Sequence, residues 1–499
     1  MTAPTCDLLI IGGGINGAAV ARDAAGRGLK VVLAERGDYA CATSSASSKM
    51  IHGGLRYLEQ YDFGLVRESL RERAIMLRLA PHLVRPMRFL VPVYRDSRHP
   101  AWLMRLGLAV YDMLGGSRSL ARSGRLPQRE IAVLPRLTVD GLTAVLHYTD
   151  CQVDDARLVL ATLLDARARG ADIANRREVL SIEPRADGYS VELGESGGTR
   201  IWNARFVVNA AGPWVNRVID LCPTPLARRP LCLVRGSHIL LPMPSPRQED
   251  AFTLQNVDGR FVFISPWLDP GHLMIGTTDV PQTGDPGSAR CSDEERDYLL
   301  KVYNRFFAGP GGAAALGDIV WSFAGVRALA DDGRRDLSKI TREVKIVSQR
   351  QGAGGFLTIY GGKLTTHRST AERVMRRLAR MGCRSGRSWT RNSPLVGGRM
   401  SRAELEDLAR SAPASLHPAT ARRWVATYGD VAAELFETVR GDPRKALGVA
   451  PCIPVAELEH AVSREDARTA EDFLYRRTRL FLSLDPPLRR AVDAWFARP

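Results

Sequence analysis

The apolar positions of the chain fall into three kinds of pattern. The first opens with Asp7-Leu8-Leu9-Ile10-Ile11, a short apolar run of the kind carried by a buried parallel strand. Residues 18–27 then read as a helix that Gly28 can stop, and Lys30-Val31-Val32-Leu33-Ala34 reads as a second strand with Glu35 at its end. The same signal returns at 205–210, before Ala211-Gly212-Pro213, and at 355–360, before Gly361-Gly362 and a helix reaching about residue 381. Leu158, Leu160, Leu163 and Leu164 mark a helix over 154–168. Residues 62–150 mix helical stretches with Pro- and Arg-rich turns. In the second pattern, from 226 to 324, strand-like stretches at 237–241, 260–264 and 272–275 predict an antiparallel sheet. Beyond 390 the third pattern predicts helices over 404–410, 418–428, 431–440, 455–462 and 465–482. Pro418 suits a first helical turn, and Ser463 with Asp466 fits a capping box imperfectly.

Composition narrows this picture modestly. At 499 residues the chain has room for two or three domains with substantial cores. No stretch reaches the ~18 apolar residues that span a bilayer, and the first apolar segment is the strand at 7–11 rather than a signal peptide. The eight cysteines are scattered, with no C-x-x-C pair and no metal-ligand spacing. They are expected to be reduced cytosolic thiols, with no metal site. The formal net charge is +16 and is carried mostly by arginine. It fits either an arginine-rich codon bias or attraction to an anionic membrane face, nucleic acid or anionic substrate. Bulk charge does not choose among them.

The turn after the first strand carries chemistry. Gly12-Gly13-Gly14-Ile15-Asn16-Gly17 fits G-x-G-x-x-G between a strand and a helix, with an acid at the end of the next strand. Gly12 allows the tight turn, Gly14 lets backbone N–H groups approach a pyrophosphate, and Gly17 lets the helix lie close to the strand. The helix N-terminus favours an anion, and Glu35 can accept hydrogen bonds from a ribose. A hydroxyl-rich loop follows, with Thr43, Ser44, Ser45, Ser47 and Ser48 before Lys49; it can serve phosphate and ribityl oxygens or be an ordinary turn. Met50-Ile51-His52-Gly53-Gly54-Leu55-Arg56-Tyr57 places a histidine, an arginine and a tyrosine beside a glycine pair. Gly361-Gly362-Lys363-Leu364-Thr365-Thr366 is a second glycine-rich strand-to-helix turn, and it carries one of the scarce lysines. The fold expected is α/β. A Rossmann-like nucleotide domain is assembled from 1–75, 150–225 and 325–385. An antiparallel-sheet substrate domain takes 76–149 and 226–324, and an all-α domain takes 390–499.

These segments together resemble the FAD-dependent glycerol-3-phosphate dehydrogenases of the membrane-associated respiratory type. The matching runs are 11–18, 40–49, 51–59, 153–158 and Asn209-Ala210-Ala211-Gly212-Pro213-Trp214-Val215. They continue with Gly236-Ser237-His238-Ile239, Ile275-Gly276-Thr277-Thr278-Asp279 and 361–366. Order and spacing hold to about residue 380, and the C-terminal part matches more loosely. The resemblance implies FAD rather than NAD and a two-domain fold like the amino-acid oxidases with a helical addition. It further implies oxidation of sn-glycerol 3-phosphate to dihydroxyacetone phosphate, with electrons passing to a membrane quinone. Two positions depart from the family pattern: Ala328 stands where proline is usual, and His367 where tyrosine is common.

On this reading the cofactor is held by Gly12, Gly14, Asn16, Gly17 and Glu35 in the first unit and by Thr43, Ser44, Ser47 and Lys49 in the hydroxyl-rich loop. Ala210 and Gly212 add to it, as do Gly362, Lys363, Leu364 and Thr365 in the second glycine turn. Arg56, Tyr57, Arg342 and Lys363 anchor the substrate phosphate. Arg327 stabilises the developing alkoxide, His238 accepts the alcohol proton, and His52 lies near the flavin. Residues 101–114 form a nearly all-apolar helix with Trp102 and Tyr111, flanked or interrupted by Arg95, Arg98, Arg105 and Arg118. It is either a core helix or a segment that lies on an anionic lipid surface, at the inner face of the cytoplasmic membrane. A homodimer is compatible with the sequence. Two alternatives remain open: a soluble oxidase using oxygen, and a basic FAD protein that binds RNA. No RNA-binding signature is present, so nucleic acid is not expected as a partner.

Overall fold

The computed structural model describes residues 3–59, 61–116, 120–134, 136–244, 248–269, 271–307, 313–331, 333, 343–450 and 452–498; the side chain of residue 56 lies outside that description. The first apolar run forms the strand Thr5–Ile11 at the centre of one sheet. Its neighbours run in the order Lys345–Gln351, Gly354–Tyr360, Gly198–Asn209, Thr5–Ile11, Val31–Ala34 and Asp172–Ala174. All these pairings are parallel except the outermost, between Lys345–Gln351 and Gly354–Tyr360. Alternation along the central strand sends Leu8 and Ile10 to one core and Leu9 and Ile11 to the other. Helices Ile15–Gly26, Asp155–Ala168 and His367–Arg380 pack together over the first face. The hairpin Glu178–Arg185 and Gly188–Glu195 supplies Val179, Ile182 and Val191 to the second.

A second sheet stands beside the first. Strand Leu231–Pro242 lies between His272–Gly276 and Trp321–Ala330, and the sheet continues through Phe261–Pro266, Ala251–Gln255, Val84–Tyr94 and Leu142–Val153 to Met50–Ile51. It is antiparallel except where Ala251–Gln255 meets Val84–Tyr94. Helix Asp293–Phe306 covers one face around Leu299, Val302 and Phe306. Two expected boundaries cut through single strands of this sheet. Residue 325 lies inside Trp321–Ala330, and residues 149 and 150 lie inside Leu142–Val153. Apolar alternation is the same on both sides of such a boundary, so composition does not mark it.

The C-terminal helices form at Arg402–Arg410, Pro418–Tyr428, Ala432–Gly441 and Val455–Ser463, within two residues of the expectation. The helix expected over 465–482 is not continuous. It becomes a π-helical segment Asp472–Arg477, a left-handed residue Arg479 (φ +62°) and a 3-10 turn Leu480–Leu482. The cause is tertiary: Arg476 and Arg477 both reach Asp38 of the nucleotide domain, at 2.6 and 2.7 Å. The capping box at Ser463 is absent as well, because its hydroxyl donates back to the Glu459 carbonyl and Asp466 pairs with Arg167. A further helix forms at Pro486–Phe496.

Candidate active site

The first glycine loop is shaped by contact rather than by preference. Gly12 has φ +109°, and a Cβ on Gly17 would lie 1.9 Å from the Gly12 carbonyl oxygen, so neither position admits a side chain. Glu35 accepts hydrogen bonds from the Gly13 amide at 2.7 Å and the Gly37 amide at 2.8 Å. Burial pushes its carboxyl pKa up while those two donors pull it down. Asn16 donates through Nδ2 to the Gly361 carbonyl oxygen at 3.0 Å, which ties the first glycine loop to the second. Its Oδ1 is buried with no hydrogen-bond partner among the described residues.

The two loops open onto a cavity of about 490 Å³. Its wall includes Gly12, Gly14, Asn16, Glu35, Thr43, Ser44, Ser47, Ala210, Gly212, Gly362, Lys363, Leu364 and Thr365. Gly17 is absent from the wall; it acts by letting the helix approach. A dinucleotide fits what these residues offer. There are glycine turns at two helix starts, an unpartnered amide oxygen between them and an acid at the ribose end.

The hydroxyl-rich loop is engaged mainly with protein. Thr43 donates to the Val326 carbonyl at 2.6 Å, Ser44 Oγ accepts from the Ile15 amide at 3.0 Å, and Ser47 donates to Asp155 at 2.6 Å. Lys49 corrects the sequence expectation. It is buried and does not reach the cavity, and its ammonium lies 2.7 Å from Asp155. Asp155 also takes Arg479 from the C-terminal region at 2.5 Å. The carboxylate needs compensating cations once out of water, and these two supply them. Burial lowers the Lys49 pKa to about 8 against the pull of Asp155.

Where the second glycine loop meets the second sheet, the remaining candidates converge. His238, His52, Tyr57, Arg327 and Lys363 all line the cavity. The Lys363 ammonium sits 3.6 Å from the Tyr57 ring centroid, a cation–π contact. Arg327 pairs with Asp279 at 2.7 Å and donates to Thr277 Oγ1 at 3.1 Å. His238 is 1% exposed, and burial together with Arg327 and Lys49 lowers its pKa to about 3. The imidazole is therefore neutral at physiological pH. His52 also borders a smaller pocket of about 60 Å³, shared with Tyr57, Phe263, Thr277 and Asp279. Arg342 lies outside the described residues, as does the Arg56 side chain.

A family model described as "FAD dependent oxidoreductase" matches residues 7–368, and one described as "C-terminal domain of alpha-glycerophosphate oxidase" matches 388–494. The chain belongs to the FAD-dependent oxidoreductase family. Within that family it groups with enzymes acting on polyol phosphates. It is 42% identical to the D-erythritol 1-phosphate dehydrogenase of Brucella abortus, over 99% of this chain and 98% of that one. It is 40% identical to the aerobic glycerol-3-phosphate dehydrogenase of Escherichia coli, over 98% of this chain and 97% of that one. The FAD-complexed glycerol-3-phosphate dehydrogenase of Bacillus halodurans superposes with a TM-score of 0.79 at 27% identity, covering 99% of this chain and 90% of that one. FAD is the cofactor of an FAD-dependent oxidoreductase, and the architecture is the expected one.

The FAD-dependent fold also engages residues that sequence reasoning passed over. Arg36 lies over the Trp214 ring at 4.4 Å, and both line the cavity with Arg177 and Val179. Val179 is one apolar residue in a mixed strand segment and Arg36 is one arginine among many, so neither carries a signal on its own. Ser48, read as one of five loop hydroxyls, turns out to lie 2.9 Å from His238 Nε2.

Proposed function

We propose that this chain oxidises the secondary alcohol of glycerol 3-phosphate to dihydroxyacetone phosphate and that its electrons pass to a membrane quinone. The observation that carries this reading is the meeting of a neutral buried imidazole, His238, with the cations Arg327 and Lys363 in one cavity wall. Bound FAD supplies the hydride acceptor, at the flavin N5. The protein supplies charge and position. A phosphate dianion needs several cationic donors, each worth about 1.5–3 kcal/mol, and Lys363 beside Tyr57, with Arg56 and Arg342, fills that need. Arg327, held by Asp279, offers a guanidinium to the alkoxide as it forms. His238 takes the hydroxyl proton, and His52, on the same cavity wall, would lie near bound flavin.

The test is anaerobic mixing of the yellow protein with glycerol 3-phosphate, reading the loss of flavin absorbance. Stable yellow colour would end the proposal. A second reading, D-erythritol 1-phosphate as substrate, rests on the 42% identity to the Brucella enzyme and on the small side pocket beside His52. The same experiment with both phosphates ranks them. Quinone-dependent turnover without hydrogen peroxide separates the dehydrogenase from an oxidase.

Contact with an anionic lipid surface belongs to the same proposal. Helix Ala101–Gly115 buries Met104, Leu108 and Tyr111 and leaves Trp102, Leu106 and Met113 at 68, 56 and 73% exposure. It is thus half exposed rather than a core helix, and Arg105 on it is exposed. No described helix is long and apolar enough to cross a membrane. An apolar face with arginines around it suits the boundary between headgroups and acyl chains.

A further inference from the structure

His238 stands on the strand Leu231–Pro242, between two neighbours that fix the plane of its ring. The imidazole stacks on Phe323 with centroids 4.8 Å apart and planes 10° apart. On another side it passes so close to Gly276 that a Cβ there would lie 2.1 Å from His238 Cδ2. Neither neighbour offers a hydrogen bond. Nδ1 is sealed from solvent and has no partner among the described residues, so an alcohol in the cavity cannot reach it. Nε2 lies 2.9 Å from Ser48 Oγ. Ser48 is half-buried and lines the cavity, whereas the histidine is almost wholly covered. Both residues border the cavity, and the ring nitrogen turned toward it, Nε2, is hydrogen-bonded to the serine hydroxyl.

The hydroxyl is also held in place. Ser47 donates to Asp155, the Lys49 amide donates to Ser47 Oγ at 3.0 Å, and the Lys49 ammonium is bound to Asp155. Both residues flanking Ser48 are thus fixed to one buried carboxylate, which Arg479 anchors in turn. A proton relay needs such fixed donor and acceptor positions, because the transfer must occur within hydrogen-bond distance.

We propose that Ser48 is a catalytic residue that relays the alcohol proton to His238. The substrate O–H bond breaks toward Ser48 Oγ as the O–H bond of Ser48 breaks toward His238 Nε2. The carbonyl forms as the carbon-bound hydrogen leaves as hydride, for which bound FAD would be the two-electron acceptor, and the imidazole ends as its cation. This inference rests on His238 being the base.

Ser48→Ala, His238→Ala and the double variant are compared by anaerobic single-turnover flavin reduction. Ser48→Ala is expected to slow reduction at least about tenfold, with the substrate dissociation constant within about twofold, since relays and bases act in the transition state. Ser48→Thr, which keeps the hydroxyl, is expected to recover most of the rate. The double variant is expected to be no slower than His238→Ala, because both residues serve one transfer. A Ser48→Ala protein that reduces its flavin at the wild-type rate overturns the relay. If His238→Ala is slow while Ser48→Ala is not, only the relay fails; if both reduce normally, the assignment of the base fails with it. The unaltered holoenzyme gives an independent reading: its rate in mixtures of light and heavy water should bow, as for two protons in flight. A straight line overturns the relay whether or not the variants fold.

Discussion

The side-chain amide of Asn16 donates to the carbonyl oxygen of Gly361, 345 residues further along the chain, at 3.0 Å. This one bond joins the two glycine loops that face the cofactor cavity. A net contribution of about 0.5–1.5 kcal/mol is ordinary for such a bond, and each 1.4 kcal/mol is a tenfold change in an equilibrium. Asn16→Ala should weaken FAD retention by about two- to tenfold while leaving the fold intact. Flavin fluorescence released on dilution measures it, and unchanged release would show that the loops hold each other by other means.

Arg327 is held at the cavity wall by Asp279 and Thr277. Removing a preorganised donor from a developing oxyanion costs about 10²–10³ in rate. Arg327→Ala should therefore lose at least about tenfold in the rate of flavin reduction, with a smaller change in substrate affinity. Near-normal reduction in stopped flow would exclude Arg327 from contact with the reacting oxygen.

Three buried histidines make stability depend on pH. Burial, the largest cause in each case, lowers the pKa of His82 and His238 to about 3 and that of His367 to about 4. Between those values and about 6.5 the unfolded chain takes up protons that the folded chain refuses. Their share of stability is whole above about pH 6.5 and is lost as pH falls. The loss approaches about 1.4 kcal/mol per pH unit for each histidine, and depressed carboxylates add to it only at lower pH. The melting temperature should drop from pH 7 to pH 5; a flat profile would mean that these rings are not buried neutral.

Trp102 and Leu106 stand outward on one helix, and burial of such side chains is worth about 1.5–3 kcal/mol each. Trp102→Glu combined with Leu106→Glu should cut co-sedimentation with vesicles of anionic lipid by about tenfold or more, with flavin reduction in solution unchanged. If the double variant still sediments with the vesicles, another surface makes the contact.

Much of the nucleotide site was legible in one dimension. Gly12 and Gly17 are readable because the turn itself constrains them: Gly12 takes φ +109°, and a Cβ on Gly17 would collide with the Gly12 carbonyl. Glu35 is readable because it ends a strand at a fixed distance from that turn. The apolar runs of the central strands are readable because parallel strands are covered on both faces. Side-chain destinations were less so. Lys49 turns to Asp155, and the expected helix over 465–482 breaks as Arg476 and Arg477 reach for Asp38.

The sequence by itself determined the strand-and-glycine framework of the cofactor site, because local sterics and alternating burial leave few solutions for such segments. Only the tertiary structure decided that His238 meets Ser48 at the cavity wall, that Asp155 unites Lys49 with Arg479, and that one face of Ala101–Gly115 lies open. Those outcomes depend on which polar and apolar groups, hundreds of residues apart, find each other once water is excluded, and no local pattern encodes that choice.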